Sequence, residues 1–182
     1  MGYDLEESIP LLLRYSSLTG DRPEFFKKLF IDHLEFLLPD GAIDDSFGCR
    51  HNKWTYWGSR TSDGVIEGLA LHLDDPTCAD ACERALTLYE KCTHNGLLAM
   101  PMAHEQNEPT CLHHTFCHAK ALAALICAAD VEVRKTTLPC EKNYGIKSYQ
   151  KDGIILVSHG KWRATFNASD AASLNPNASN GG

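Results

Sequence analysis

No stretch of this 182-residue chain approaches the ~20 consecutive apolar residues that a bilayer-crossing helix needs, so the sequence predicts no membrane-spanning helix. It has no basic tract either. Asp and Glu number 24 against 17 Lys and Arg, and the formal net charge is −7. That balance argues against a nucleic-acid footprint. The opening residues, MGYDLEESIP, lack the basic-then-apolar order of a signal peptide, which makes the cytoplasm the default compartment. Paired short Cys/His clusters of the zinc-finger kind are also missing, so no metal or other cofactor is expected.

Eight cysteines and nine histidines stand out against an otherwise ordinary globular composition. The chain is too long and too rich in helical patterns to need a disulfide framework, and the cysteines read as reduced, buried apolar residues.

Five segments carry helical periodicity. The first spans Asp4 to Leu18, with Pro10 either kinking it or moving its start to about Ser8. A second follows the turn Thr19–Pro23, presents Phe25, Phe26, Leu29, Phe30, His33, Leu34 and Leu37, and stops at Pro39-Asp40-Gly41. A third runs from Thr61-Ser62-Asp63 through Leu73. The fourth opens at Asp74-Asp75-Pro76 and stops at Asn95-Gly96, and the fifth spans Thr110 to Ala129. Residues 40–60 and 97–109 read as irregular loops on a common rim. The period then changes, and Tyr144–Tyr149, Gly153–Ser158 and Lys161–Asn167 read as strands joined by tight turns. The expected division is a helical domain over 1–130, an antiparallel β-segment over 131–170 and a disordered tail over 171–182.

The strongest chemical signal is the stretch 50–60. Arg50, His51, Asn52, Lys53, Trp54, Tyr56, Trp57 and Arg60 gather there without an intervening acid, and two of the chain's three tryptophans are among them. Arginine and lysine bind carboxylate or sulfate oxygens, while tryptophan and tyrosine offer flat faces to a sugar ring. The combination suggests a groove for an acidic carbohydrate, with His104 and Glu105 of the second loop beside it. The structural alternative has Trp54 and Trp57 pinning the loop and the arginines in salt bridges. On the fifth helix, His113 or His114 could face the rim and move protons near neutral pH. Cys111, His114 and His118 share a helical face, an arrangement that also admits a metal ion. Asp44, Asp45, Asp63, Glu67 and Glu105 are the carboxylates to weigh for glycoside hydrolysis.

Helical hairpins with an aromatic rim loop, PDGAIDDSFGCRHNKWTYWGSRTSDG, followed by GIKSYQKDGIILVSHGKWRATFNASD, resemble the heparinase II/III-like polysaccharide lyases. The resemblance implies a mainly α chain: antiparallel helical hairpins of an incomplete (α/α) toroid, then a short antiparallel β-element that begins a sandwich. It further implies β-elimination on a uronate-containing polysaccharide. Tyr56 would transfer the proton with His114 as partner and His113 as fallback. Arg50, Asn52 and Arg60 would neutralise the carboxylate, with Lys53, Trp54, Trp57, His104 and Glu105 lining the substrate groove. A toroid hydrolase using Asp45 and Glu105, or a non-catalytic carbohydrate-binding or assembly module, are the alternatives. An incomplete toroid would expose apolar faces to self-association or to a missing remainder of a larger protein.

Overall fold

The computed structural model describes residues 8–42, 44, 63–98, 112–128, 132–151 and 153–167. Five α-helices come first in these residues: α1 (Ile9–Thr19), α2 (Pro23–His33), α3 (Asp63–Ala70), α4 (Pro76–Cys92) and α5 (Leu112–Ile126). A small hairpin, β1 (Thr93–His94) and β2 (Leu97–Leu98), lies between α4 and α5. A three-stranded antiparallel sheet closes the described chain, in the order β3 (Gly145–Tyr149), β4 (Ile154–His159) and β5 (Trp162–Asn167).

Local chemistry explains most of the boundaries. Pro10 sits in the first turn of α1, where its missing N–H has no helical partner to lose. Gly20, at φ 73°, ends that helix by donating its N–H to the Ser16 carbonyl at 2.8 Å. Asp75 caps α4, its carboxylate accepting from the Thr77 N–H at 2.9 Å, with Pro76 in the first turn. Two helices stop earlier than their apolar patterns suggest. α2 ends at His33 and tightens into a 3₁₀ turn over Leu34–Phe36, and α3 ends at Ala70 instead of Leu73. The fourth helix also ends early, at Cys92, because Asn95 and Gly96 serve a different purpose from the expected stop. Both take positive φ, 51° and 77°, and join β1 to β2. Asn-Gly is the usual two-residue hairpin turn, and the first residues after it are a strand, not an irregular loop.

Helix α3 is the centre of the helical part and packs against α1, α4 and α5. Its Val65, Ile66 and Leu69 are fully buried with Phe30 and Leu34. Gly68 lets the helix come close: a Cβ there would stand 2.7 Å from the Phe30 ring. Ile154 and Leu156 of β4, and Leu138 and Cys140 of the connecting segment, belong to the same apolar cluster. The sheet's inner face is therefore continuous with the helical core.

Its outer face is different. Cross-strand register places Ile146 beside Val157 and Ala164, and Ile155 beside Phe166, with Trp162 opposite His159. Trp162 and Ile146 are 81% and 74% exposed, so the face is apolar yet open to water. Cysteines 78, 82, 92 and 140 are buried and Cys127 is exposed.

Candidate functional site

Three polar clusters join distant parts of the described chain. The first ties the connecting segment to α4. Arg84 forks onto Asp80, through Nε at 3.1 Å and Nη2 at 3.2 Å, and onto Glu141, through Nη1 at 2.6 Å and Nη2 at 3.2 Å. Asp80 also accepts from the Thr136 N–H at 2.7 Å and its hydroxyl at 3.1 Å. Burial alone pushes the Asp80 carboxyl up, but the Arg84 and Thr136 hydrogen bonds outweigh it and hold it below the usual range. Arg84 likewise holds Glu141 low.

The second cluster docks the sheet. Arg163 of β5 donates to the Cys140 carbonyl at 3.1 Å, to the Tyr144 hydroxyl at 3.2 Å and to the Glu35 carbonyl. Lys147 and Tyr149 of β3 both reach the Glu35 carboxylate. Burial raises the Tyr149 phenol, and its bond to Glu35 raises it further, so this tyrosine is a proton holder and a poor base. Thr165 reaches the carboxylate of Asp44.

The third cluster lies among α1, α3 and α5. Glu67 of α3 is buried, and its two oxygens meet Arg14 of α1 and Lys120 of α5, each at 2.9 Å. Glu67 was a sequence candidate for hydrolytic chemistry. Its setting is an ion-paired one in which neither oxygen faces open solvent. Arg14 and Lys120 escaped sequence reasoning, since they stand 53 residues away from Glu67 on either side in the chain. The available signal was an acid within the otherwise apolar face of Val65, Ile66 and Leu69.

Three thiols of the described region, Cys78, Cys82 and Cys140, are unsuited to nucleophilic work. Burial pushes Cys78 and Cys82 up to about 12 and Cys140 up to about 11, which keeps them protonated. Burial and the Lys27 charge lower His72, which is therefore neutral at pH 7. Among the described residues, no group of three or more His, Cys, Asp or Glu could hold a metal ion.

The residues singled out from sequence mostly fall elsewhere. Arg50, Asn52, Lys53, Trp54, Tyr56, Trp57, Arg60, His104, Glu105, Asp45 and Cys111 lie outside the described residues. His113, His114 and His118 are on α5, with their side chains outside the description. The described part thus gives the frame around these segments. α3 begins directly after the 50–60 stretch, and α5 carries the histidines.

Comparison with known proteins settles the relationship. The Ulvan lyase N-terminal domain family matches residues 1–142. The chain belongs to that family. It is 41% identical over 179 residues to a broad-specificity ulvan lyase of Formosa agariphila. The match covers 94% of this chain and 28% of that protein, so the chain spans little more than a quarter of its relative's length. No solved structure matches. Membership of the ulvan lyase N-terminal domain family bears out the polysaccharide lyase resemblance at that level. The helices followed by a three-stranded antiparallel sheet agree with the expected order of elements.

Proposed function

We propose that this chain is part of a polysaccharide lyase that cleaves an acidic, uronate-containing polysaccharide such as ulvan by β-elimination. The observation that carries the reading is its relationship to a broad-specificity ulvan lyase across 94% of its length.

In this mechanism a base removes the proton α to the uronate carboxylate. The electron pair forms a ring double bond as the bond to the leaving glycosidic oxygen breaks, and an acid protonates that oxygen. Tyr56 transfers the proton, with His114 as its partner and His113 as the fallback. Arg50, Asn52 and Arg60 hold the carboxylate and stabilise the enolate-like charge that develops on it. The cations Arg50, Lys53 and Arg60 also lower the phenol pKa of Tyr56, as nearby positive charge does for any acid. Lys53, Trp54, Trp57, His104 and Glu105 line the groove. No metal or cofactor takes part in the scheme.

The finer architecture belongs to the same reading. The helices are hairpins of an incomplete (α/α) toroid of the heparinase II/III-like kind, over residues 1–130. Residues 131–170 begin a sandwich-like domain. The open apolar outer face of the sheet, with Trp162 and Ile146 exposed, supports that last point, because one face of a sandwich sheet needs a second layer.

Incubation with ulvan and with plain uronate polymers tests the proposal. Ultraviolet absorbance of the unsaturated product should rise with time, and Tyr56→Phe should reduce the rate by about 10²–10⁴-fold without unfolding the protein. Reducing ends that appear without this absorbance would overturn elimination in favour of hydrolysis.

A further inference from the structure

The Glu67 cluster is lopsided in a way that a structural ion pair does not require. The carboxylate side chain is 2% exposed, while Arg14 and Lys120 are 43% and 56% exposed. The anion is inside and both cations reach outward to water. One cation suffices to neutralise a buried carboxylate, whereas two leave a surplus positive charge. Among the described residues, neither Arg14 nor Lys120 lies within ion-pair distance of any other acid. The surplus occurs in a chain of net charge −7, where an isolated cationic spot is unexpected.

Geometry adds a second point. Arg14 places Nε and Nη2 on the same oxygen, Oε1, and so leaves the remaining edge of its guanidinium uncommitted. The Lys120 ammonium stands against Oε2 with further N–H donors to spare. Long cationic side chains ordinarily lose much rotamer freedom when they grip a ligand. Here the buried carboxylate already holds Arg14 through two contacts to Oε1 and keeps Lys120 within ion-pair distance of Oε2, a preorganisation that favours binding. The cluster also belongs to α3, which follows the cationic 50–60 stretch, and to α5, which carries His113 and His114.

We propose that Arg14 and Lys120, braced by Glu67, form a subsite for an oxyanion group of the polysaccharide, a uronate carboxylate or a sulfate. That the anion belongs to a polysaccharide rests on the proposed function, whereas oxyanion binding itself does not.

The test compares the wild-type chain with Lys120→Met, Lys120→Arg and Glu67→Gln. Unfolding midpoints are measured in sulfate and in acetate against chloride at matched ionic strength. The wild type and Lys120→Arg should gain stability from the oxyanion beyond what Lys120→Met gains. Glu67→Gln, which keeps the side-chain shape but removes the charge that braces the two cations, should gain less from the oxyanion than the wild type. Affinity for an acidic oligosaccharide should then fall about tenfold in Lys120→Met, with its carboxyl-reduced and desulfated forms showing which group occupies the subsite. Equal oxyanion stabilisation and equal oligosaccharide affinity in the wild type and a folded Lys120→Met would overturn the subsite and leave a purely structural clamp. A Lys120-dependent response to sulfate or acetate without any oligosaccharide binding would support the subsite and overturn the polysaccharide reading.

Discussion

Gly41 shows how much one residue can decide. Its φ of 89° is a conformation that side-chain-bearing residues rarely adopt. A Cβ at this position would also stand 2.2 Å from the Arg84 carbonyl oxygen. Strain and collision act together, and the backbone of α4 cannot yield to relieve them. Gly41→Ala is expected to lower stability by about 3 kcal/mol in urea unfolding. Asp80 and Glu141 set a second residue-level expectation. Their carboxyls titrate lower in the folded chain than in the unfolded one. The stability they contribute is complete above the ordinary carboxylate range and is lost as pH falls through their lowered folded values. Unfolding free energy should therefore decline from about pH 5 downward, and Arg84→Met should flatten that decline. A decline of undiminished slope in Arg84→Met would contradict the assignment. Neither effect could be read from sequence: Gly41 meets the Arg84 carbonyl 43 residues further on, and Thr136 and Glu141 join the Asp80–Arg84 pair across more than fifty residues.

At the scale of elements, α3 is short but packs against α1, α4 and α5, and Gly68 is what allows its close approach to Leu13 of α1 and Phe30 of α2. Gly→Ala normally favours a helix by removing backbone entropy. At Gly68 the added methyl would stand 2.7 Å from the fully buried Phe30 ring and 3.3 Å from Leu13. Overpacking should win, and Gly68→Ala is expected to cost about 1–3 kcal/mol by thermal or urea unfolding, against the propensity trend. The strands were legible to within a residue or so, since Lys151-Asp152-Gly153 and His159-Gly160 punctuate alternating apolar runs. The helices were legible in order and type but not at their ends. Leu71 and Leu73 continue the apolar period of α3 after its backbone has turned away, because a half-buried turn also welcomes leucine. The Asn95-Gly96 pair was legible as a break, and only pairing between Thr93 and Leu98 made it a hairpin.

Across the whole molecule, the helices and the sheet are held as one core by Ile154, Leu156, Leu138 and Cys140, with Arg163 as the polar rivet. Its guanidinium gathers a carbonyl from the end of the α2 segment and another from the connector. Arg163→Met should cost about 2–3 kcal/mol in urea unfolding, since carbonyls that accepted from a charged donor lose it. A loss no larger than that of an exposed surface change, such as Lys161→Met, would show that the apolar contacts alone dock the sheet.

By itself, the sequence determined the order of helices and strands, the acidic balance of the chain and the concentration of cationic and aromatic residues at 50–60. These follow from local period, turn chemistry and composition, which need no knowledge of distant neighbours. Tertiary structure alone decided that the acid of α3 is buried between Arg14 and Lys120, that Arg84 bridges two carboxylates and that one face of the sheet stays open. Such pairings depend on which distant side chains meet when the apolar faces come together, and periodicity along the chain carries no record of that.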